Sequence, residues 1–455
     1  MKKSLYVILV SGLCCCSAAL ASSRTARPIA FTHAVIIDGN GGTPIENGVL
    51  VVRGDRIEAV GPAESVSLPA DSVVTDLQGK VLMPGLADMH VHLLGGWDGE
   101  SVDMLGYQRY LNALLYAGVT TVLDTGNMKA YIIQMRDEIA AGRLVGPRIY
   151  CAGPLIDGPD PLWAPISYSV TSVEQIPKMV RQLKQDRVDI IKAYVGLSVP
   201  MVWALAAEAR KNSLPLFVDQ SWRNGSPELA AGGITGFAHS PDFIFGEEAI
   251  GMLKQRNIKF ISTLSMVEAK SRRRLEDLAF LDQPLIKDTT PPDFIADLRA
   301  EAKRLQESKQ WNSGPRQQNL NRFKQQVFNL KKLFDAGLIF AAGTDAPYPG
   351  VFQGEGIHRE LELLVEAGVP PLKALTMATR NAAELINAGS EWGTLEPGKL
   401  ANLLVVNGRP DQRIQDTRNI VAVMKLGKTV DRDKLKLNPA TDPGFRPVSP
   451  VSSRN

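Results

Sequence analysis

Five histidines are spread over the 455 residues, His33, His90, His92, His239 and His358, and two of them stand one residue apart in the run MHVH. A strand alternates its side chains with period two, so an extended run here turns the imidazoles of His90 and His92 to one face. Two neutral imidazoles side by side offer two lone pairs to a borderline ion such as zinc. Taken alone, the pair could equally be two polar strand residues facing water. Three further positions carry residue types that would complete such a site. Asp345 ends the run LIFAAGTDA, where an aspartate otherwise caps a helix. His239 ends ITGFAHS, and Lys192 sits inside VDIIKAY among apolar neighbours. A bare ammonium there is costly to bury unless it is paired in a salt bridge or chemically altered. Tyr194 shares the strand face of Lys192, where its hydroxyl could donate to a substrate carbonyl or its ring could pack at the rim. Trp163 and Trp222 follow two other runs and suit a pocket wall or plain edge packing, while His358, in GIHRELELLVEAG, suits a structural role at the start of a helix.

To bring these residues together the chain needs elements that converge. Short apolar runs occur at 81–93, 119–126, 148–154, 188–196, 214–220, 234–240, 258–265 and 338–346, most of them followed by helical periodicity. Eight βα units in about 300 residues predict an α/β fold, a (β/α)8 TIM barrel, with polar residues at the carboxyl ends of the strands gathered on one face. The segment 266–336 is too long for a simple loop and carries charged helical text, so it reads as an insertion that forms a lid or pocket wall, or as a solvated helical excursion. Outside the barrel, 34–61 and 401–430 are β-rich, with a hairpin turn at Gly54-Asp55. The expected organisation is a composite β-sandwich domain from 22–83 plus 388–436, a barrel from 84–387, and a disordered tail from 437–455 with four prolines.

Lys and Arg number 51 against 48 acidic residues, a net charge of +3 with no long basic run, which argues against nucleic acid or an anionic membrane as partner. Lys2 and Lys3 precede an apolar run that ends near Ala19-Leu20-Ala21, the pattern of a secretory signal over residues 1–21. The mature protein is therefore expected to be exported, periplasmic or secreted, and free of the membrane. A lipoprotein through Cys14 is the weaker alternative because Leu13 fits a lipid-attachment site poorly. Three of the four cysteines lie in that segment, which leaves Cys151 without an internal disulfide partner and best read as a small buried hydrophobe.

The motifs MPGLADMHVHL, GVTTVLDTG, IIKAYVG, FAHS, AAGTDAPYPG and GTLEPGKLANLLVV, spread from about residue 34 to 430, resemble the amidohydrolase superfamily, especially its peptidase-like and imidazolonepropionase-like branches. The resemblance implies one metal on His90, His92 and Asp345, a second on His239, and a carboxylated Lys192 bridging the two. It implies divalent metal, zinc first and manganese as an alternative, that generates hydroxide, with Asp345 also accepting its proton. The chain departs from the family at the fifth strand, where LPLFVDQ aligns Asp219 with a metal-binding histidine. Asp219 can ligate a metal through oxygen, leave the site mononuclear, or mark a protein that has lost hydrolysis. The reading is an exported dipeptidase-like or imidodipeptidase-like hydrolase of a small amide substrate. Its rivals are a cyclic amide or lactone hydrolase and a metal-poor binding protein. Homo-oligomerisation is compatible with all three.

Overall fold

The computed structural model describes residues 26–96, 101–219 and 227–438. The proposed signal, Trp222 and nearly all of the proline-rich tail lie outside these residues. Each of the eight predicted runs contains a strand: β1 (Leu86–Val91), β2 (Val119–Asp124), β3 (Arg148–Cys151), β4 (Ile191–Ala193), β5 (Leu216–Val218), β6 (Gly236–Phe237), β7 (Lys259–Ile261) and β8 (Ile339–Ala341). Their ladders are parallel, which gives an α/β, TIM-barrel-like domain with helices between strands. The third strand is broken at Gly153-Pro154: Arg148–Cys151 pairs with β2, and its continuation Leu155–Asp157 pairs with β4.

Alternation along the strands separates two apolar layers. Ala87, Leu123, Ala238, Ile261 and Ala341 pack in an interior cluster, while Val122, Phe237, Phe260 and Phe340 face the helices. The Phe260 ring stacks between Phe237 and Phe340 at centroid distances of 5.5 and 5.0 Å. On β1 the phase changes: Ala87 and Met89 are interior, yet Val91 belongs to the outer layer. The register irregularity between Asp88 and Val91 is where this happens, and it turns His90 and His92 inward at the strand end.

The first and last of these strands also meet. The Met89 amide donates to Ala342 O at 3.0 Å, Asp345 N to His90 O at 2.7 Å, and His92 N to Ala346 O at 2.8 Å. The close approach requires Gly343, because a Cβ there would lie 2.8 Å from His90 Cβ. Asp88, fully buried in this seam, accepts from the Thr344 amide at 3.0 Å and the Thr344 hydroxyl at 2.7 Å.

The two chain ends share one mixed sheet. Ile29–Ile36 pairs antiparallel with Ile45–Arg53, and Val81–Pro84 pairs antiparallel with Leu403–Val406, which continues to Ile420–Lys425. The expected hairpin at Gly54-Asp55 joins the paired residues Arg53 and Arg56. The segment 266–336 departs from the expectation of a single insertion. Its second half, Gly314–Asp335, is the helix that leads into β8 and buries Phe323, Leu330 and Leu333 in the outer layer. Its beginning carries Met266 and Lys270 to the site. Among the described residues no helix is long and apolar enough to cross a membrane.

Burial pushes the Asp88 carboxyl up to about 7, against hydrogen bonds from Thr344 and His90 that favour its charge. A raised folded-state pKa gives stability that is fully present below the ordinary carboxylate value of 3.8 and is lost as pH rises from there to about 7. Asp88→Ala strands the Thr344 donors and is expected to cost about 2–4 kcal/mol, read from the midpoint of urea unfolding. Asp88→Asn should cost distinctly less and should flatten the loss of stability between pH 3.8 and about 7. Equal losses in both variants would remove these hydrogen bonds as the cause.

Candidate metal centre

The site is built at the carboxyl ends of β1, β4, β5, β6 and the residues that follow β8. His90 is 1% exposed, and its Nδ1 lies 2.9 Å from Ala238 O. His92 repeats the arrangement, with Nδ1 2.9 Å from Gly126 O. A carbonyl oxygen only accepts, so each Nδ1 carries a proton and each Nε2 is turned into the site. Both Nε2 atoms approach the same oxygen, Asp345 Oδ1, at 3.4 and 3.1 Å. Asp345 reaches this position from a left-handed backbone, φ 61°, a conformation that non-glycine residues seldom adopt.

These three atoms are Lewis bases that converge within 4.8 Å of one another, and only a cation between them relieves their repulsion. The donor set of two imidazoles and one carboxylate therefore fits a divalent metal. The His92 proton competes for the same place: burial works against its charge, but the Asp345 carboxylate beside it wins and pulls the imidazole up. His90 goes the other way, since burial and the Lys192 charge hold it well below the ordinary histidine value. Burial would raise the Asp345 carboxyl, yet the imidazoles around it hold it well below the usual carboxylate range, so it is ionised.

A buried carboxylate that sequence reasoning missed supports His92. Asp124, at the end of β2, accepts from the Leu93 amide at 2.9 Å, from the Gly126 amide at 3.2 Å and from Asn127 Nδ2 at 2.8 Å. It thereby fixes both the residue after His92 and the carbonyl that orients its ring. The signal was present in VLDTG, an acidic strand end in the same pattern as Asp345.

The remaining predicted residues form a second group beside the first. Asp219 Oδ2 lies 3.3 Å from Lys192 Nζ and 3.0 Å from His239 Nε2, all three nearly buried. His239 Nδ1 faces Thr263 Oγ1 at 2.8 Å, and its ring is 4.6 Å from that of His90. The pairing assigns a proton to His239 Nε2, which makes this histidine a donor to Asp219 and not yet a lone pair for metal. The burial of Lys192 is thus explained by a salt bridge at the strand ends. Tyr194 Oη accepts from Trp163 Nε1 at 3.0 Å, which leaves the hydroxyl proton free to point into the cavity.

An open cavity of about 200 Å³ joins all these residues, walled by Trp163, Ile166, Met266, Lys270, Pro347 and Tyr348. His358 is elsewhere: it is fully buried between Thr417 Oγ1 and Ala117 O, and burial holds it neutral, down to about 3. His33 pairs with Asp76 at the surface of the mixed sheet, and Cys151 is buried with its thiol pushed up by burial, an inert side chain as expected.

The chain matches the model of the amidohydrolase family over residues 81–217 and 272–430. It is 22% identical over 414 residues to an imidazolonepropionase of Alkaliphilus metalliredigens, across 85% of this chain and 90% of the relative. Among solved structures it is similar to a putative prolidase from Bifidobacterium longum, with TM-score 0.71, 27% identity, and 90% and 98% of the two chains covered. A Xaa-Pro dipeptidase with bound methionine superposes with TM-score 0.70 at 22% identity, covering 89% of this chain and 99% of the other.

Because metal and proton compete for His92, apparent metal affinity should rise about tenfold per pH unit until the raised His92 value is passed, and level off above it. Competition against a chelator at several pH values measures this. A flat profile would take His92 out of the ligand set.

Proposed function

The chain belongs to the amidohydrolase family and is a hydrolase of carbon–nitrogen bonds, and from that premise we propose an exported, metal-dependent enzyme that cleaves the amide bond of a dipeptide or imidodipeptide. The observation that carries this reading is the convergence of His90 Nε2, His92 Nε2 and the Asp345 carboxylate on the floor of a cavity of small-molecule size. The neighbours named putative prolidase and Xaa-Pro dipeptidase support the substrate class, and each aligns with about nine-tenths of the chain. We read the parallel strands as a closed (β/α)8 barrel, supported by the β1–β8 hydrogen bonds. The sheet from the two chain ends we read as a small composite β-sandwich. Its branching at Ile29–Ile36, which pairs along one edge with both Val73–Asp76 and Val81–Pro84, supports that. Export rests on the charged and apolar pattern of residues 1–21.

In this reading His90, His92 and Asp345 hold a zinc ion, with manganese as the alternative. Such an ion supplies Lewis acidity toward the scissile carbonyl and lowers the pKa of water. The protein's own groups do the rest. Asp345, ionised, takes the proton of the attacking water and passes it to the leaving nitrogen. Tyr194 donates its hydroxyl proton as a hydrogen bond to the carbonyl oxygen as negative charge develops there, held in direction by Trp163.

The second group decides how many ions the site takes. With Lys192 as an ammonium, its charge and that of Asp219 cancel, and one ion suffices. Carboxylation would turn Lys192 from cation to anion facing Asp219, which demands a second cation held also by His239. We favour the second arrangement, with Asp219 as an oxygen ligand in the place of the family's histidine. The imidazolonepropionase match keeps cyclic amides and lactones as a second substrate class.

Asp345→Asn keeps the shape of the side chain and should leave the fold intact while kcat falls by roughly 10³-fold or more, the loss of both ligand charge and base. Near-native turnover would refute its role. Asp219→Ala should drop the metal content of purified, bicarbonate-treated protein from about two equivalents to about one, with a matching loss of rate. An unchanged metal count and rate would remove Asp219 from the ligands, and chelator-resistant activity would sink the metal reading as a whole.

A further inference from the structure

Among the described residues that line the catalytic cavity, charge is balanced with one exception. Their carboxylates are Asp219 and Asp345. The first is engaged by Lys192 and His239, and the second by His90 and His92. Lys270 also lines the cavity, and among the described residues its ammonium pairs with no carboxylate; what it faces is the Tyr348 ring, 5.9 Å away. The same side chain borders an adjoining basin of about 300 Å³, where the other charged groups are Arg272 and Arg316 and no carboxylate contributes to the wall. Arg316 is paired with Glu276 at 2.5 Å, so the charge on that side of the cavity is carried by Lys270 and Arg272, which form no salt bridge with a described residue.

The backbone beneath Lys270 is fixed. It ends the helix Leu264–Lys270, whose start is held by the buried carboxylate of Glu360 through Leu264 N at 2.9 Å and Ser265 N at 2.7 Å. Its end is held by Asn319 Nδ2, which donates to Lys270 O at 3.2 Å. Glu268, two residues earlier, is spent on Arg273 and Arg359. A cation is thus carried on a pinned element to the wall of a cavity whose carboxylates, among the described residues, are both committed.

We propose that Lys270 is a specificity-determining residue, which selects substrates bearing a carboxylate by pairing with it at the cavity wall beside Tyr348. This rests on the reading of the cavity as an amide-hydrolysing site and narrows it to amides that carry a free acid, such as N-acyl amino acids and dipeptides with an open carboxyl terminus. Lysine is suited to the task as a compact, mobile point charge that meets a carboxylate without demanding one orientation. Neutral amides of the same size would lack the partner and leave the ammonium uncompensated.

The test is a library of dipeptides and N-acyl amino acids, each as free acid and as C-terminal amide, given to the metal-loaded full chain. Free acids should be the better substrates, and Lys270→Met should raise their KM tenfold or more with little change in kcat, while the amides are unaffected and Lys270→Arg restores part of the loss. Equilibrium binding of the same pairs to the Asp345→Asn chain reads the preference without turnover. If the wild type hydrolyses neither form yet the Asp345→Asn chain still prefers acids through Lys270, the hydrolase reading fails and the carboxylate subsite stands. Equal handling of acids and amides, an equal effect of Lys270→Met on both, or binding of neither, overturns the proposal.

Discussion

Asp88 is buried in the seam between the first and the last parallel strand, and the placement of the atoms that could hold a metal depends on it. Its two oxygens take the amide and the hydroxyl of Thr344, the residue immediately before Asp345, while its own strand carries His90 and His92 two and four residues later. The candidate ligands of one ion thus come from segments some 250 residues apart and are registered by a few hydrogen bonds. The register irregularity on β1 and the absence of a side chain at Gly343 serve the same end, since either change would turn the imidazoles away or push the strands apart.

Proton placement follows from the same economy of partners. Ala238 and Gly126 offer carbonyls that can only accept, so the two imidazoles of β1 have their Nδ1 protons committed and their Nε2 atoms aimed inward. His239 has a carboxylate on one side and a hydroxyl on the other, which leaves its state dependent on Asp219 and hence on the charge of Lys192. The site therefore joins a donor set ready for a cation to a charge-balanced trio whose role is set by the chemistry of one lysine.

Around this centre the walls are held by buried ion pairs. Glu355, fully buried, is gripped by Arg274 and Arg418, which overcome the effect of burial and hold its carboxyl down to about 2. Glu360 ties the end of β7 to the helix after β8 through Ser262, Leu264 and Ser265. Pairs of this kind fix the direction of neighbouring elements, and breaking one partner is costlier than forming the pair is beneficial.

Periodicity and residue type located the eight parallel strands, the paired histidines, the polar strand ends at Lys192, His239 and Asp345, and the contribution of both chain ends to one β-rich unit, while the family resemblance pointed to Asp219. These features are local or repeat along the chain, so a text of residues contains them. The sequence did not reveal that β3 is broken, that the second half of 266–336 is the helix leading into β8, or that Asp88 and Asp124 hold the histidines in place. Nor did it reveal that Asp219 lies between Lys192 and His239. Those are matters of which distant groups share a hydrogen bond or a charge, and only chain closure decides that, because a buried carboxylate takes its function from the donors that three-dimensional packing brings within about 3 Å of it.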